Sequence, residues 1–375
     1  MLKRDIIDSV KNHLYKGKAI VLTGPRQAGK TTFLKQLASL SDDSLVLLLN
    51  CDEPDIRLLL ENVTSTQLKV LIGKHKLLLI DEAQKVDNIG LTLKLIVDNI
   101  EAVQVIATGS SAFDLRNKLN EPLTGRKFEY HLYPFSTREL ITNTSPLEEK
   151  RLLEQRMVYG MYPDIVNQPS DARVLLKELT NSYLFKDIFS YRDIRNPEGL
   201  NKLLTALALQ LGNEVSYNEL GRALGIDKET VERYIDLLEK VFVVFRLSSF
   251  SRNIRNELKK SRKIYFFDNG IRNAVINNYN PLALRNDHGA LWENFIISER
   301  KKYLDYNGIY ANTFFWRTHA QQEIDYIEDR DGKLYAFEFK WKTDKKYKLP
   351  VSFAEAYPQN SFELITPANY IQFVS

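Results

Sequence analysis

The sequence predicts an α/β protein that begins with a parallel β-sheet covered by helices on both faces. Four short, nearly continuous apolar runs lie in the N-terminal part of the chain, at residues 19–24, 44–50, 76–81 and 103–109. Patterns with the helical spacing of apolar residues lie between these runs, for example at residues 91–100. Parallel strands are apolar throughout because helices cover both of their faces. The first run ends in a glycine-rich turn that leads directly into a helical pattern.

Length and composition limit the class of protein. A chain of 375 residues is too long for one ordinary hydrophobic core and predicts two or three domains. No apolar run approaches the roughly 20 residues of a membrane-spanning helix, and the N-terminal residues lack the apolar segment of a signal peptide. A single cysteine, Cys51, excludes an internal disulfide and a cysteine-built zinc site. We therefore expect a cytoplasmic protein with no membrane partner.

The glycine-rich turn fits the phosphate-binding template G-x-x-x-x-G-K-[ST]. Its residues are Gly24, Pro25, Arg26, Gln27, Ala28, Gly29, Lys30 and Thr31, and Thr32 follows them. Glycines let the backbone amides converge on phosphates, and the helix that follows adds the positive end of its dipole. We expect Lys30 to contact the β- and γ-phosphates of ATP and the Thr31 hydroxyl to bind Mg²⁺.

A second motif consists of four apolar residues followed by Asp81 and Glu82. Asp81 ends a predicted strand beside the phosphate-binding turn, where its carboxylate can hold Mg²⁺ through a water molecule. Glu82 is predicted to orient or deprotonate the attacking water. The alternative is an acidic strand end that only begins a loop. Together with the turn, the pair predicts ATP hydrolysis.

Two further residues are candidates for a catalytic role. Ser110 follows the fourth apolar run and is placed either to contact the γ-phosphate or the water, or to cap the next helix. Arg126 is placed either to supply positive charge to the transition state, in cis or toward a neighbouring subunit, or to form a structural ion pair. The sequence leaves these alternatives open.

The order of these motifs resembles the AAA+-type ATPases of a large bacterial and archaeal family of ATP-binding proteins. The matching segments are GPRQAGKTT (24–32), LLLIDEAQKV (77–86), ATGSSAFDL (107–115), LTGRKFEYHLYPFSTREL (123–140), YGMYPDIV (159–166), TVERYIDLLEKVFVVFRL (230–247) and KIYFFDNGIRNAVI (263–276). The resemblance covers nearly the whole chain and implies an ATPase core, a helical lid and a C-terminal domain. Ring-forming AAA+ enzymes usually carry an arginine in the lid, but residues 159–166 contain none. The oligomeric state therefore stays open.

A helix-turn-helix pattern begins after residue 212. Ser216 and Asp227 are predicted to cap two helices at their N-termini, and Gly225 is predicted to end the first helix. Short strands or a wing are predicted to follow, as in a winged helix. The second helix has an acidic balance that does not suit a DNA major groove, so the element can bind either DNA or a partner protein.

Two stretches rich in lysine and arginine lie in the C-terminal half, at residues 246–263 and 340–348. Together they predict a surface that faces a polyanion such as DNA. The alternative is that each stretch consists of ordinary solvated side chains.

Four charged residues near the C-terminus resemble the site of the PD-(D/E)XK nuclease fold. They are Glu293 on a predicted helix, Asp325, and the pair Glu338 and Lys340 at the end of a predicted strand. Alternation places Glu338 and Lys340 on one face of the strand, and a hairpin brings Asp325 beside them. The carboxylates would then hold a divalent metal while the lysine positions the water. The alternatives are an ordinary charged hairpin, or a nuclease-like domain kept for binding alone.

We therefore predict a P-loop NTPase parallel sheet with a helical lid, followed by a winged helix and a small α/β domain of the restriction-endonuclease type. The predicted domains are residues 1–146 for the ATPase core, 147–211 for the lid, 212–280 for the winged helix and 281–375 for the nuclease-like domain. The predicted function is Mg²⁺-dependent ATP binding and hydrolysis that controls a DNA-interacting, nuclease-like module. The alternative is a nucleotide-switched module that binds a partner protein and has an inactive nuclease-like domain.

Overall fold

The structure, a computed structural model, describes residues 2–109, 122–181, 194, 196–251, 262–318, 320–342 and 347–375. The chain divides into two compact units. The first consists of Met1–Pro134 with Lys240–Phe242, and the second of Phe135–Glu239 with Val243–Ser375.

The first unit is built on a sheet that has five strands in the described residues. These strands are β1 (Ala19–Thr23), β2 (Val46–Asn50), β3 (Leu77–Asp81), β4 (Gln104–Gly109) and β5 (Lys127–His131). They lie in the order β2-β3-β4-β1-β5, and each neighbouring pair is parallel. The prediction of a parallel sheet, with strands at all four apolar runs, is confirmed. The sequence did not predict β5, whose residues are all half-buried and mix charged with aromatic side chains.

Helices cover this sheet. Those described in the first unit are α1 (Ile6–Lys11), α2 (Lys30–Ala38), α3 (Pro54–Leu60), α4 (Ser65–Ile72) and α5 (Ile89–Asn99). Leu78 and Ile80 of β3 are fully buried in one core cluster with Leu93 and Ile96 of α5. Burial of whole apolar strands in this way supplies the main favourable free energy of folding for such a layer.

The second unit contains many short helices and one large sheet. Its described helices are α6 (Thr137–Asn143), α7 (Pro146–Arg151), α8 (Leu153–Tyr159), α9 (Pro163–Asn167), α10 (Ala172–Leu179), α11 (Pro197–Leu209), α12 (Tyr217–Leu224), α13 (Lys228–Lys240), α14 (Asn269–Val275), α15 (His288–Tyr306), α16 (Val351–Ala356) and α17 (Tyr370–Val374). The described part of residues 147–211 is largely helical, as predicted.

The sheet of the second unit has seven strands in the described residues. They are β6 (Glu214–Val215), β7 (Val244–Ser249), β8 (Arg262–Phe266), β9 (Asn312–Arg317), β10 (Glu323–Arg330), β11 (Lys333–Phe339) and β12 (Asn360–Ile365). Their order is β12-β11-β10-β9-β7-β8-β6. β7 pairs in parallel with β9, so one sheet continues from residues 212–280 into residues 281–375.

The helix-turn-helix pattern is realised by α12 and α13. The Ser216 hydroxyl accepts a hydrogen bond from the Glu219 amide at 3.3 Å, and the Asp227 carboxylate accepts one from the Thr230 amide at 2.6 Å. Gly225 ends α12 with φ of +69°, a conformation that favours glycine. The predicted caps and helix end are confirmed, and β6, β7 and β8 pair antiparallel around them.

Two of the segments behind the family resemblance meet at Asp268. Its carboxylate accepts hydrogen bonds from the Met161 amide at 2.7 Å and from the Ile271 amide at 3.2 Å. A Cβ atom at Gly160 would lie 2.0 Å from Oδ1 of Asp268, so only glycine fits there. Burial raises the pKa of Asp268 above its ordinary value. The buried carboxyl group of Asp268, which lies between β8 and α14, therefore joins this segment to the predicted lid.

Candidate functional site

The predicted phosphate-binding turn connects β1 to α2. Gly24 passes so close to Leu132, the residue after β5, that a Cβ atom there would lie 2.1 Å from the Leu132 carbonyl oxygen. Gly29 precedes α2 with φ of +93°. Both template glycines are thus required by the backbone, one by space and the other by conformation. Arg26, Gln27 and Thr32 are exposed.

Lys30 begins α2, and its side chain is buried against the turn. Its ammonium group donates hydrogen bonds to the carbonyl oxygens of Gly24 at 3.0 Å and Pro25 at 2.8 Å. The Lys30 ammonium therefore lies at the turn where it is predicted to contact phosphates.

Arg4 supports the same turn and was not predicted from the sequence. Its guanidinium donates to the Ala28 carbonyl oxygen at 2.8 Å and to the Tyr133 carbonyl oxygen at 2.6 Å. It is only 4% exposed. No short motif relates Arg4 to these partners, because Tyr133 is 129 residues away in the chain.

Asp81 lies at the end of β3, where two hydroxyl groups reach its carboxylate. The Thr31 hydroxyl donates to Oδ2 at 2.6 Å, and the Thr108 hydroxyl donates to Oδ1 in a short hydrogen bond. Because β4 lies between β1 and β3, Thr108 sits between the phosphate-binding turn and the acidic strand end. The structure thus brings together Thr31 and Asp81, the two predicted metal ligands.

Glu82 follows in a left-handed conformation, with φ of 52° and ψ of 39°. Its backbone amide donates to Oδ1 of Asp81 and to the hydroxyl of Thr108, at 3.2 Å in each case. Its carboxylate accepts a hydrogen bond from the Gln84 side-chain amide at 2.6 Å. Positive φ is uncommon for a residue with a side chain and persists where neighbouring contacts hold it. The contacts of Glu82 therefore fix the direction in which its side chain leaves the strand.

Thr108 supplies a small polar group at the end of β4, where its hydroxyl contacts Asp81. Ser110, the predicted candidate, lies outside the described residues. Thr108 was overlooked because it lies inside the apolar run, yet hydrogen bonding makes a buried hydroxyl favourable there.

Arg126 lies at the amino ends of the parallel strands, whereas the phosphate-binding turn lies at their carboxyl ends. Its carbonyl oxygen accepts a hydrogen bond from the amide of Ala19, which begins β1, whereas the turn follows the other end of β1. Its guanidinium forms an ion pair with Asp98 at 2.7 Å. This position corrects the suggestion that Arg126 acts in cis on phosphates at the turn. The structural ion pair, left open as an alternative, is present.

Cys51 lies next to the acidic strand end, and its amide donates to the Asp81 carbonyl oxygen at 3.0 Å. Burial, with Asp81 adding to it, raises the pKa of the Cys51 thiol to about 12. A thiol with that pKa is protonated near neutral pH, so it is a poor nucleophile and a poor metal ligand.

The four residues of the nuclease-like pattern lie in the second unit and fall into two groups. The Lys340 ammonium lies 3.2 Å from Oδ2 of Asp325 and 2.6 Å from Oε1 of Glu338. The Phe339 amide donates to the same oxygen of Asp325 at 2.8 Å. The predicted arrangement of these three side chains at the β10–β11 hairpin is therefore present.

Glu293 reaches the cluster from α15. Its Oε1 accepts a hydrogen bond from the Tyr265 hydroxyl at 2.5 Å and lies 3.1 Å from the Lys263 ammonium. Lys263 also lies 2.6 Å from Oε1 of Glu323. Burial, with Asp325 adding to it, raises the pKa of Glu293 to about 7 despite the lysine. Burial and the charge of Asp325 raise the pKa of Glu338 as well.

This charged cluster, defined as Glu293, Glu323, Asp325 and Glu338 with Lys263 and Lys340, does not fit the metal that the nuclease resemblance implies. Among the residues that the structure describes, no group of three or more His, Cys, Asp or Glu side chains is placed to hold a metal ion. The acids of the cluster face ammonium groups instead.

The basic stretches are also paired with acids where they are described. Arg246 pairs with Asp236 and Glu239 of α13, and Arg262 lies 3.5 Å from Glu232 of the same helix. Three acidic side chains of α13 are therefore neutralised by arginines of the same unit. Lysines and arginines at positions 252, 255, 259, 260, 345 and 346 lie outside the described residues. The polyanion-facing surface is not supported by Arg246, Arg262, Lys263 or Lys340, which have carboxylate partners.

Three family matches cover most of the chain. Residues 16–141 match a family described as an AAA domain. Residues 150–282 and 288–370 match two domains of unknown function, DUF8612 and DUF4143.

Two relatives and one solved structure are similar to this chain over most of its length. An uncharacterised protein of Mycobacterium tuberculosis is 28% identical over 348 residues, which is 90% of this chain and 74% of the relative. An uncharacterised protein of Methanocaldococcus jannaschii is 27% identical over 317 residues, or 73% of this chain and 65% of the relative. The structure of a Walker-type ATPase of Pyrococcus abyssi superposes with a TM-score of 0.50 and 14% identity, over 74% of this chain and 96% of that one. The matches support an AAA+-type P-loop ATPase fold, with nucleotide binding and hydrolysis as its general activity.

Within the described residues, none of the helices combines the length and the apolar character that crossing a membrane requires.

Proposed function

We propose that this chain is a Mg²⁺-dependent ATPase whose nucleotide state controls its second unit. The phosphate-binding turn and Lys30 would bind the triphosphate, and Thr31 with Asp81 would hold Mg²⁺. Glu82 would act as the general base for the attacking water. The ATP state would then decide what the second unit binds.

The observation that carries the ATPase proposal is the contact between Thr31 and Asp81. The turn and the acidic strand end are 50 residues apart in the chain, yet the two side chains are joined by a hydrogen bond of 2.6 Å. A hydroxyl and a carboxylate are oxygen ligands of the kind that Mg²⁺ prefers. When bound, the ion would neutralise phosphate charge.

Hydrolysis also requires a base that is held near the site. The contacts of Glu82 meet this requirement, because its amide is fixed by Asp81 and Thr108 and its carboxylate accepts from the neutral amide of Gln84. Such a carboxylate can accept a proton from water as the water attacks.

The test is a comparison of ATP binding and ATP turnover in Glu82→Gln, Lys30→Ala and the parent protein. We expect Glu82→Gln to bind ATP like the parent and to hydrolyse it slower by on the order of 10²-fold or more, because the base is lost. Lys30→Ala should lose binding, because the turn loses its ammonium.

Two exposed residues provide matched controls for these substitutions. Glu53→Gln changes an exposed acid in the same unit, and Lys35→Ala removes an exposed lysine from the same helix as Lys30. Both should bind and hydrolyse ATP like the parent. Equal turnover in Glu82→Gln and the parent would remove the catalytic assignment of Glu82.

For the second unit, the pairing of its charges favours a nucleotide-switched module that binds a partner protein. Arg246, Arg262 and Lys263 are engaged with carboxylates, which lowers their value as phosphate contacts. We expect ATP to change amide hydrogen exchange within residues 135–375 of the Glu82→Gln protein. Unchanged exchange at saturating ATP would separate the second unit from the ATPase and contradict the coupling.

A DNA-acting enzyme is the less favoured candidate. Asp325, Glu338 and Lys340 have the mutual contacts of the nuclease-like pattern, but the charged cluster does not fit a metal. That candidate requires cleavage of DNA with Mg²⁺ or Mn²⁺, lost in Asp325→Ala and Lys340→Ala. It also requires DNA affinity that falls steeply with salt, as phosphate contacts do.

A further inference from the structure

Lys263 is a buried lysine at the centre of the charged cluster. It lies on β8, and its side chain is only 3% exposed. Its ammonium approaches two carboxylates that come from different elements, Glu293 of α15 at 3.1 Å and Glu323 of β10 at 2.6 Å. It also lies 5.3 Å from the centre of the Phe315 ring, within the range of a cation–π contact.

The ammonium and the carboxylates depend on each other. Removing a charged group from water is costly, and a buried ion pair survives because each partner neutralises the other. A divalent cation entering this cluster would have to displace Lys263, which would leave a buried ammonium without its acids. Lys340 places the same obstacle beside Asp325 and Glu338.

We propose that Lys263 is the built-in cation of this cluster and neutralises carboxylates that a divalent metal would otherwise bind. The native chain then binds no metal at these carboxylates and has no metal-dependent cleavage there. The cluster instead joins β8, β10 and α15 through charge. The inference uses no part of the ATPase site, so its failure would leave the proposed ATPase unaffected.

The proposal predicts a gain of function. Without the lysine, Glu293 and Glu323 would lose the ammonium that they share. Carboxylates of this kind bind hard divalent cations through oxygen. Lys263→Met keeps the apolar stem of the side chain and removes only the ammonium. This variant should acquire a metal site that the parent does not have.

The experiment measures Mn²⁺ binding by electron paramagnetic resonance, and thermal unfolding with and without Mn²⁺, on the full chain without nucleotide. Lys263→Met should bind one additional Mn²⁺ per chain, about tenfold or more tighter than any site of the parent, and its Tm should rise with Mn²⁺ by linkage. Adding Glu293→Gln to this variant should remove the additional site, because Glu293 is one of the two acids that Lys263 contacts.

Lys302→Met is the matched control. Lys302 is similarly buried in the same unit and forms an ion pair with Glu299 at 2.6 Å. This variant should gain no Mn²⁺ site. An equal gain in both variants would mean that any buried acid released from lysine binds Mn²⁺, which would overturn the specific role of Lys263.

A second comparison uses the parent protein and does not depend on the folding of either lysine variant. Mn²⁺ binding by the parent should be the same as by its Asp325→Asn variant. A parent Mn²⁺ site that disappears in Asp325→Asn would show that the native cluster takes metal despite Lys263, and would overturn the proposal.

Discussion

The two units each gather acidic side chains at the ends of strands, but they balance the negative charge in opposite ways. At the ATPase site, Asp81 accepts hydrogen bonds from the hydroxyls of Thr31 and Thr108, which carry no charge. In the charged cluster of the second unit, the carboxylates face the ammonium groups of Lys263 and Lys340.

This difference decides what each site can bind. Hydroxyl partners hold a carboxylate in place and leave its charge available to a cation that arrives with the nucleotide. Ammonium partners hold the carboxylates equally well but neutralise them. An acid and a lysine at the right spacing therefore do not by themselves establish a metal site. The identity of the other neighbours does.

The largest expected effect concerns the stability of the charged cluster. Burial raises the pKa of Glu293 from its ordinary value of 4.5 to about 7. Between these values the unfolded chain has lost the proton that the folded chain keeps, so stability falls as pH rises through this range. From about pH 5 to about pH 8 the contribution of Glu293 should fall by on the order of 3 kcal/mol.

Urea unfolding of the parent and of Glu293→Gln at both pH values measures this contribution. Gln cannot ionise, so the variant should lose that part of the pH dependence. Glu355→Gln, which changes an exposed acid in the same unit, should follow the parent. Identical pH dependence in Glu293→Gln and the parent would mean that the carboxyl is not buried as described.

A smaller effect is expected at the ATPase site for Thr108→Val. The substitution keeps the shape of the side chain and removes the hydroxyl that joins Asp81 to the Glu82 amide. Loss of a hydrogen bond to a carboxylate should cost about 1.5–3 kcal/mol of stability. Because Glu82 would be held less firmly, kcat should fall by about tenfold with little change in ATP affinity.

Thr92→Val is the control for this prediction. Thr92 is buried in the same unit, and its hydroxyl donates to the Leu60 carbonyl oxygen at 2.8 Å. The control should lose about 0.5–1.5 kcal/mol of stability, because its hydrogen bond joins neutral groups, without a change in kcat. If both variants lower kcat equally, Thr108 acts through general stability rather than by positioning the acids.

The ATPase site was the more predictable of the two. Its predicted residues lie in two short continuous segments, 24–31 and 81–82, and the local sequence of each segment is enough to predict their roles. What the sequence could not give is the strand order, because β4 comes after β3 in the chain but lies between β1 and β3 in the sheet. The strand order brings the Thr108 hydroxyl to Asp81. Without that order, the sequence shows Thr108 only as part of an apolar strand.

The charged cluster was predictable in part. The contacts among Asp325, Glu338 and Lys340 follow from strand alternation and one hairpin, which are local. The role of Lys263 is not local, because it arises where β8 and α15 bring residues 30 positions apart into contact. In the sequence it was one of a run of basic residues and was assigned to the surface. Three-dimensional proximity changes a candidate DNA contact into the partner of two partly buried acids.

The smallest expected effect is that of Arg126→Ala, and it tests whether the ATPase site is complete within one chain. Arg126 pairs with Asp98 while both side chains are partly exposed, and exposed ion pairs contribute about 0–1 kcal/mol. Stability and ATP turnover should therefore change little, with turnover within about twofold of the parent, because Arg126 lies at the edge of the sheet remote from the turn. Turnover should be measured over a wide range of protein concentration, with Asp98→Ala as the control that breaks the same ion pair. A large loss in Arg126→Ala alone, with parent turnover per chain that rises with concentration, would show that Arg126 completes the site of a neighbouring subunit.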